Sequence, residues 1–277
     1  MGAGPIIRVV GLTAGYGDGP DVLSGLSVDF PRGQVTAVVG GSGCGKSTLF
    51  KCVVGLLRPR AGQVLVAGRD LSTMDERDLP EALSRVGLLF QQGAMLNSAT
   101  VAENIALPLK EHTDLPASVI EESVRLKLQS VGLAHAADKF PSELSGGMRK
   151  RAALARAMAL DPELLLCDEP SAGLDPRTAA DLDDLILGLK ETFRMTVVVV
   201  THELASIDAI ADDVVFLGRG GVLHYAGPLA GARACPVPEV GDFFARRGVG
   251  APVGTRSLLQ VLEDGILPEP AVTGVDP

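Results

Sequence analysis

Apolar residues occur in short runs along the chain, and turns rich in glycine and proline separate the first of these runs. Two such runs lie at residues 6–12 and 22–30, and a Gly-, Asp- and Pro-containing turn at 15–20 lies between them. Such runs predict strands joined by a turn. Residues 63–68 and 86–90 predict two further strands. The first part of the chain is therefore expected to be rich in β-structure.

The pattern becomes helical between Ser98 and Leu144. Apolar residues there recur at spacings that place them on one face of a helix, with charged residues off that stripe. The stripe consists of Ile120, Val124, Leu128 and Val131. We interpret it as core rather than as a partner surface, although the outer face of the segment could still meet a partner. The segment predicts a small helical subdomain, at about 92–160, inserted between two halves of a larger core.

Three apolar runs in the last part of the chain predict buried strands, at residues 164–168, 197–200 and 214–217. A helical face lies between the first two, and residues 221–225 complete a final hairpin. That face consists of Leu182, Leu185, Ile186 and Leu189. The alternation of strands and helices predicts the α/β class.

The stretch 35–49 carries the most specific chemistry. Gly40, Gly45, Lys46 and Ser47 satisfy the pattern G-x-x-x-x-G-K-[ST], in which backbone N–H groups at a helix start bind phosphates. The lysine then reaches the β- and γ-phosphates and the hydroxyl ligates Mg²⁺. The alternative is a chance Gly/Ser turn, and four fixed positions match by chance about once in a hundred such chains. Against chance stand the β-branched run before the loop and the helical apolar pattern after it, at Leu49, Cys52, Val53 and Leu56.

Two carboxylates, Asp168 and Glu169, end the buried run that begins at residue 164. Acids at the carboxyl end of a parallel strand are costly unless they serve an ion or a water molecule. In a phosphate-loop protein the first such Asp holds Mg²⁺ and an adjacent Glu can polarise the attacking water. His202, which follows another core strand, is a candidate γ-phosphate contact. A lone histidine at the surface or in the core is the ordinary alternative.

Composition excludes several classes of function. The net charge of −9 argues against a nucleic-acid partner, which would require a basic face. No apolar run approaches the roughly 20 residues of a spanning helix, and the start lacks a signal-peptide pattern. The four cysteines show no metal-type spacing and predict reduced, mostly buried thiols. Tryptophan is absent, so an aromatic cage is not expected. A cytosolic protein is expected.

Together these motifs resemble the ATP-binding subunit of an ABC transporter, over residues 5 to about 245. The resemblance implies a P-loop NTPase (RecA-like) core with an N-terminal antiparallel β subdomain and an inserted α-helical subdomain. It also implies ATP hydrolysis with Mg²⁺. The implied ATP-binding residues are Tyr16, Gly40, Gly41, Ser42, Gly43, Cys44, Gly45, Lys46, Ser47, Thr48, Gln91 and His202.

The other functional residues follow from the same motif order. The resemblance implies that Tyr16, otherwise a surface aromatic on a turn, stacks on adenine. The implied catalytic residues are Glu169, His202, Gln91 and Lys46, and the implied Mg²⁺ ligands are Ser47, Gln91 and Asp168. The implied signature residues, which contact the ATP of a partner subunit, are Ser145, Gly146 and Gly147, with the D-loop at Asp175. Taken alone, Ser145 is better read as an ordinary helix N-cap.

Met148 stands where this family normally has Gln, in the motif Leu144 to Met148. This replacement puts a side-chain hydrogen bond at that position in doubt. Together with the segments 90–96 and 141–151, it resembles the ATPases of MCE/Mla-type lipid transporters. That narrower resemblance implies a dimeric permease, MCE-domain lipid carriers and, in some systems, a STAS-domain partner. It places the subunit on the cytoplasmic face of the inner (plasma) membrane.

The chain contains one phosphate loop and one signature, so the resemblance implies a homodimer in which each ATP lies between two subunits. Residues 246–277 form a Gly/Pro-rich extension with one possible short helix at 257–267, which is either disordered or docked on another chain. Three alternatives remain: a soluble ABC ATPase, a catalytically dead cassette, and a transporter subunit for another substrate. The single cassette and acidic charge argue against the first, and the intact catalytic residues argue against the second.

Overall fold

The structure, a computed structural model, describes residues 4–245. The predicted tail at 246–277, including its possible short helix, lies outside the described residues. The strands are β1 (Ile7–Gly15), β2 (Asp21–Phe30), β3 (Val35–Gly40), β4 (Ala61–Val66), β5 (Arg69–Asp70), β6 (Val86–Leu89), β7 (Leu164–Asp168), β8 (Thr196–Val200), β9 (Asp213–Leu217) and β10 (Leu223–Pro228). The α-helices are α1 (Lys46–Val53), α2 (Leu79–Ala82), α3 (Val101–His112), α4 (Ala117–Ser130), α5 (Gly146–Ala157), α6 (Pro176–Phe193), α7 (Leu204–Ile210), α8 (Leu229–Arg233) and α9 (Pro238–Phe244).

A four-stranded antiparallel sheet is built from the first part of the chain, in the order β2–β1–β4–β5. Inward-facing residues of β1, such as Ile7, Val9 and Leu12, are buried, while Arg8 on the opposite face is exposed. This alternation is typical of a strand with one face on a core. The predicted N-terminal antiparallel subdomain is therefore confirmed.

A six-stranded sheet forms the larger core, in the order β10–β9–β3–β8–β7–β6. All its pairings are parallel except that of the edge strand β10 with β9. The Cα atoms of Val38 on β3 and Asp168 on β7 both pair with that of Val200 on β8. The carboxyl ends of β3, β8 and β7 therefore meet at one edge, where ligands bind in open sheets of this kind.

The helices α3, α4 and α5 lie between β6 and β7 in the chain and pack on one another. Thr100 caps α3 through a reciprocal capping box with Glu103. All four residues of the predicted apolar stripe are 7% exposed or less, which confirms that the stripe is core. No helix within residues 4–245 is long and apolar enough to span a membrane.

Two sequence-based details were wrong. The helix after the phosphate loop ends at Val53, and Leu56, which was assigned to its apolar face, is 66% exposed. Gly55, at a φ of +72°, terminates the helix in a left-handed conformation that glycine adopts without strain. The strand predicted at 63–68 lies at 61–66, because Ala67 and Gly68 both take positive φ and form the turn.

Candidate active site

The phosphate loop joins β3 to α1 through glycines with positive φ. A Cβ atom on Gly40 would lie 2.1 Å from the carbonyl oxygen of Leu217, and Gly40 has a φ of +144°. Gly45, with a φ of +102°, is the N-cap of α1, and no side chain caps that end. The first N–H groups of α1 therefore lack a side-chain partner, which leaves an anion-binding helix start.

Lys46 folds back over this loop. Its Nζ donates to the carbonyl oxygens of Gly40 at 2.8 Å and Gly41 at 3.0 Å. Gly41, Ser42 and Gly43 are exposed, whereas Cys44 is 2% exposed. The loop thus presents backbone groups and one ammonium to solvent, and polyphosphate binding by these groups stays a prediction.

Tyr16 lies beside the loop helix. Its hydroxyl is 3.3 Å from Thr48 Oγ1, and the Lys51 ammonium lies 5.0 Å from the centre of its ring. The residue is 46% exposed, so one face of the ring remains accessible. An accessible aromatic face next to a phosphate loop fits the predicted stacking on adenine.

Glu169 takes up a left-handed backbone conformation, with a φ of +47°, directly after β7. Its N–H donates to the carbonyl oxygen of Val200 at 2.8 Å, which fixes the residue to the end of β8. Its Oε1 lies 2.8 Å from His202 Nδ1. Its Oε2 is buried and has no hydrogen-bond partner among the described residues. Glu169 and His202, which were predicted separately from two strand ends, therefore form a pair through Oε1, and Oε2 of Glu169 stays available to a ligand.

Burial raises the pKa of the Asp168 carboxyl, and the neighbouring Glu169 raises it further. Lys150 and Lys46 oppose this shift because their positive charges favour the ionised carboxylate. Two adjacent acids at a half-buried strand end are therefore costly without a nearby cation.

The residues predicted for Mg²⁺ suit that ion in chemical type. A hydroxyl, an amide oxygen and one carboxylate come from Ser47, Gln91 and Asp168, and Mg²⁺ takes one or two carboxylates with water and substrate phosphates. The described residues contain no group of three or more His, Cys, Asp or Glu that could hold a metal on its own. The mixed ligand types and the lack of such a group among the described residues both fit a Mg²⁺ site that nucleotide phosphates complete.

Gln91 follows the edge strand β6, which pairs in parallel with β7. Gln91 is exposed, and its backbone carbonyl oxygen accepts a hydrogen bond from Lys150 Nζ. The same ammonium donates to the carbonyl oxygen of Glu169 at 3.3 Å. Lys150 itself is 8% exposed, and burial lowers the pKa of its ammonium while nearby Glu169 and Asp168 oppose that shift.

Sequence reasoning missed Lys150. It lies in the run Arg149, Lys150, Arg151, which has the composition of a solvent-exposed basic segment. The signal that could have revealed it is its position among alanines on the buried face of a helix. Ala152, Ala153, Leu154 and Ala155 are all 1% exposed or less.

The predicted signature starts α5. Ser145 is its N-cap, and its Oγ accepts from the N–H of Met148 at 3.3 Å, as the ordinary N-cap interpretation requires. A Cβ atom on Gly147 would lie 2.6 Å from Thr178 Cγ2. Asp175 caps the next helix, α6, by accepting from the N–H groups of Arg177 and Thr178. The signature and the D-loop are therefore neighbours.

The structure does not bring the signature to the phosphate loop of the same chain. Among residues 4–245, the hydrogen bonds recorded for Ser145 and the near neighbours of Gly146 and Gly147 involve α5 itself, Leu174 and Thr178, and none involves residues 40–48. One chain thus places the loop, Gln91, Asp168, Glu169 and His202 at the carboxyl ends of the parallel strands, and the start of the signature helix elsewhere.

Known proteins share both the sequence and the fold. The ABC transporter family profile matches residues 23–172. A protein of Mycobacterium leprae named "Probable ribonucleotide transport ATP-binding protein mkl" is 40% identical over 92% of this chain and 72% of its own length. The intermembrane phospholipid transport system ATP-binding protein MlaF of Haemophilus influenzae is 43% identical over 75% of this chain and 78% of its own. MlaF of Escherichia coli strain K12 is 40% identical over 80% and 82%.

Solved structures of ATP-binding cassette proteins share the fold of this chain. The cbiO1 subunit of the cbiONQ transporter from Clostridium perfringens matches with a TM-score of 0.77 and 29% identity, over 84% of this chain and 92% of that one. The ATP-binding cassette MJ0796, in a dimeric post-hydrolysis state with ADP and Pi, matches with a TM-score of 0.73 and 27% identity, over 80% and 98%. On its motifs, fold and relatives, the chain belongs to the ABC transporter family, as an ATP-binding subunit that hydrolyses ATP.

Proposed function

We propose that this subunit hydrolyses ATP to power a membrane transporter that moves phospholipids or related lipids between membranes. The observation that carries the hydrolytic part is the Glu169–His202 pair, with its 2.8 Å contact and the buried free Oε2, at the sheet edge beside the phosphate loop. The lipid part rests on 40–43% identity to the MlaF proteins of two bacteria.

Each site residue has one task in this proposal. The loop 40–48 and Lys46 bind the phosphates of ATP, and Tyr16 stacks on adenine. Ser47, Gln91 and Asp168 would hold Mg²⁺, which supplies charge neutralisation on the transferring phosphoryl group. Glu169 polarises the attacking water through a carboxylate oxygen.

His202 orients Glu169 through Nδ1, and its other ring nitrogen is left to contact the γ-phosphate. Because Glu169 is 15% exposed and His202 is 66% exposed at the side chain, the base is shielded while its partner can reach a ligand. The low exposure of Glu169 suits a general base that must stay fixed, and the high exposure of His202 suits a side chain that contacts the γ-phosphate only when ATP is bound.

The second half of each ATP site is proposed to come from a second copy of the chain. Ser145, Gly146 and Gly147 of that copy close on the γ-phosphate, with Asp175 beside them. The dimeric MJ0796 structures support this arrangement by likeness. The dimer would lie on the cytoplasmic face of the inner (plasma) membrane, beneath permease subunits. MCE-domain carriers and a STAS-domain protein are the proposed further partners.

Replacement of Glu169 by Gln tests the hydrolytic assignment. E169Q should lower ATP turnover by about 10²–10⁴-fold, since it removes the general base, and should accumulate an ATP-bound dimer. Phosphate release and size-exclusion chromatography with ATP measure the two effects. E163Q is the matched control, because Glu163 lies on the surface in an ion pair with Arg32. Turnover of E169Q equal to that of E163Q would refute the assignment.

A second candidate substrate is a ribonucleotide, because the mkl relatives that carry this name match 91–92% of the chain. Isolation of the complete transporter with its permease discriminates the two. Reconstituted in vesicles, the complex should show ATPase activity that depends on the phospholipid composition and should be insensitive to added ribonucleotides other than ATP. The reverse pattern would favour ribonucleotide transport.

A further inference from the structure

Lys150 connects three parts of the site that are far apart in sequence. It belongs to α5, the helix whose first residues form the signature, and its side chain runs inward. Its Nζ donates to the carbonyl oxygens of Gln91 and Glu169. Both acceptors are backbone atoms of residues to which the proposed function gives catalytic roles.

The carbonyl of Glu169 also accepts from the N–H of Ala172 at 3.2 Å, so it keeps a partner without the lysine. The orientation of this peptide matters because Glu169 holds an unfavourable left-handed conformation. Such a conformation is energetically unfavourable and persists only where its surroundings fix it. Val200 fixes the N–H of this residue, His202 fixes its carboxylate, and Lys150 contributes to fixing its carbonyl.

The loop that begins at Gln91 is held along the same helix. Arg156 donates to the carbonyl oxygens of Ala94 at 2.6 Å and Gly93 at 3.1 Å. Lys150 and Arg156 therefore bind three carbonyls of the loop, at residues 91, 93 and 94, from one helix. Lys150 also donates to the carbonyl oxygen of Glu169, whereas the hydrogen bonds of Arg156 described here go to the loop alone.

We propose that Lys150 is a positioning residue for hydrolysis, whose buried ammonium sets the backbones of Gln91 and Glu169 in place relative to the signature helix α5. The proposal rests on the proposed function. Lys150 contacts the reacting residues through their carbonyls, so it acts on where Gln91 and Glu169 point rather than on ATP itself. Its removal should therefore slow turnover and leave ATP binding in place.

The first test compares K150M with K127M. Lys127 is 7% exposed, lies in the same helical region and pairs with Asp161 away from the nucleotide site, so it matches the burial of Lys150. K150M should lower kcat by about 10- to 100-fold, the range expected when hydrogen bonds to a charged group are lost. The KM for ATP and the Kd for a non-hydrolysable ATP analogue should change less than about threefold. K127M should keep kcat within about twofold.

Two results would overturn the proposal. One is a kcat for K150M within twofold of that for K127M. The other is a loss of analogue affinity as large as the loss of kcat, which would indicate a merely structural role. If circular dichroism shows that K150M does not fold, K150Q replaces it, and its kcat and analogue affinity are compared with those of K127M in the same way. Its shorter side chain cannot span both carbonyls, so a drop of at least about fivefold is expected.

A mixed dimer locates the effect. Two differently tagged copies, one of which carries E169Q, are co-expressed and purified through both tags. Each mixed dimer then contains one intact Glu169. K150M in the chain with the intact Glu169 should cause most of the loss, and K150M in the E169Q chain should cause little. The opposite distribution would assign the effect to the signature and overturn the proposal. Failure of the proposed function would show separately, as unimpaired turnover of E169Q without any change at Lys150.

Discussion

Gly147 shows how a single missing methyl group lets two motifs meet. The Cβ that it lacks would lie 2.6 Å from Thr178 Cγ2, and the Thr178 hydroxyl donates to Asp175 Oδ2 at 2.6 Å. The start of the signature helix and the cap of α6 can therefore touch only if residue 147 has no side chain. The requirement comes from this contact within the chain and applies before any partner is considered.

Replacement of Gly147 by Ala should lower the free energy of unfolding by about 1 kcal/mol, because overpacking outweighs the better helix propensity of alanine. T178S removes the methyl group and keeps the hydroxyl that donates to Asp175, the residue that caps α6. The double variant G147A/T178S should therefore recover the loss, with T178S alone as the control. Urea unfolding measures all three. A loss that persists in the double variant would contradict the steric explanation.

The residues named from motifs lie at the loop, strand ends and helix starts that their spacing predicts, and their tasks in ATP hydrolysis stay predictions. Lys46, Asp168, Glu169 and His202 are examples. Lys150 was missed because its role depends on packing between α5, β7 and the loop after β6. Its basic neighbours are typical of an exposed segment, and only the alanines that follow them in the sequence indicate a buried helix face. The pairing of Glu169 with His202 was also not predicted, although each residue was.

Among the elements, α3 is held at its start by more than its capping box. Asn104 is fully buried, and its side-chain amide donates to the carbonyl oxygens of Leu96, Ala99 and Thr100. Its Oδ1 accepts from the N–H of Leu96 at 2.7 Å. The N–H of Leu96 and the carbonyl oxygen of Ala99 therefore take this side chain as their partner, whereas the carbonyl oxygens of Leu96 and Thr100 also accept from backbone N–H groups.

Replacement of Asn104 by Ala should destabilise the protein by about 2–4 kcal/mol, since a fully buried side chain is removed and the N–H of Leu96 and the carbonyl oxygen of Ala99 lose their partner. Asn97, an exposed residue of the same loop, is the matched control, and N97A should change stability by less than about 0.5 kcal/mol. Thermal and urea unfolding provide the measurement. Equal effects of the two substitutions would show that the network contributes little.

Elements with strong periodicity were predictable, and short ones were not. The apolar stripe of α4 and the alternating β1 are long enough for their periods to be read. Helices α2, α8 and α9 contain four to seven residues, too few for a helical period to be distinguished from a loop. Their formation depends on neighbours such as the sheet face that Val240 on α9 packs against.

At the scale of the whole molecule, the position of the signature away from the phosphate loop determines what a functional unit can be. Each chain carries one loop and one signature, so two chains would form two sites, each with one half from each chain. This arrangement has a consequence that a monomeric ATPase cannot reproduce, namely complementation between two inactive variants.

K46A and S145R should each be inactive alone, because each dimer would lack the same half of both sites. Mixed in equal amounts and allowed to exchange, they should recover up to about a quarter of wild-type activity, since about half of the dimers have one intact site. ATPase activity against mixing ratio is the measurement. K46A mixed with the double variant K46A/S145R is the control, because none of the dimers in that mixture contains an intact site. No recovery in the first mixture would contradict the shared site.

The position of Tyr16 next to the phosphate loop has an optical consequence. The chain contains no tryptophan and two tyrosines, Tyr16 and Tyr225. Tyr225 donates its hydroxyl to the carbonyl oxygen of Pro228 at 2.7 Å, far along the chain from the loop, whereas Tyr16 is half exposed beside it. The intrinsic ultraviolet emission of the native subunit therefore comes from two side chains, one of them beside the nucleotide loop. In the variant Y225F it becomes a single-residue signal, and we expect nucleotide binding at the loop to change that signal without any added dye.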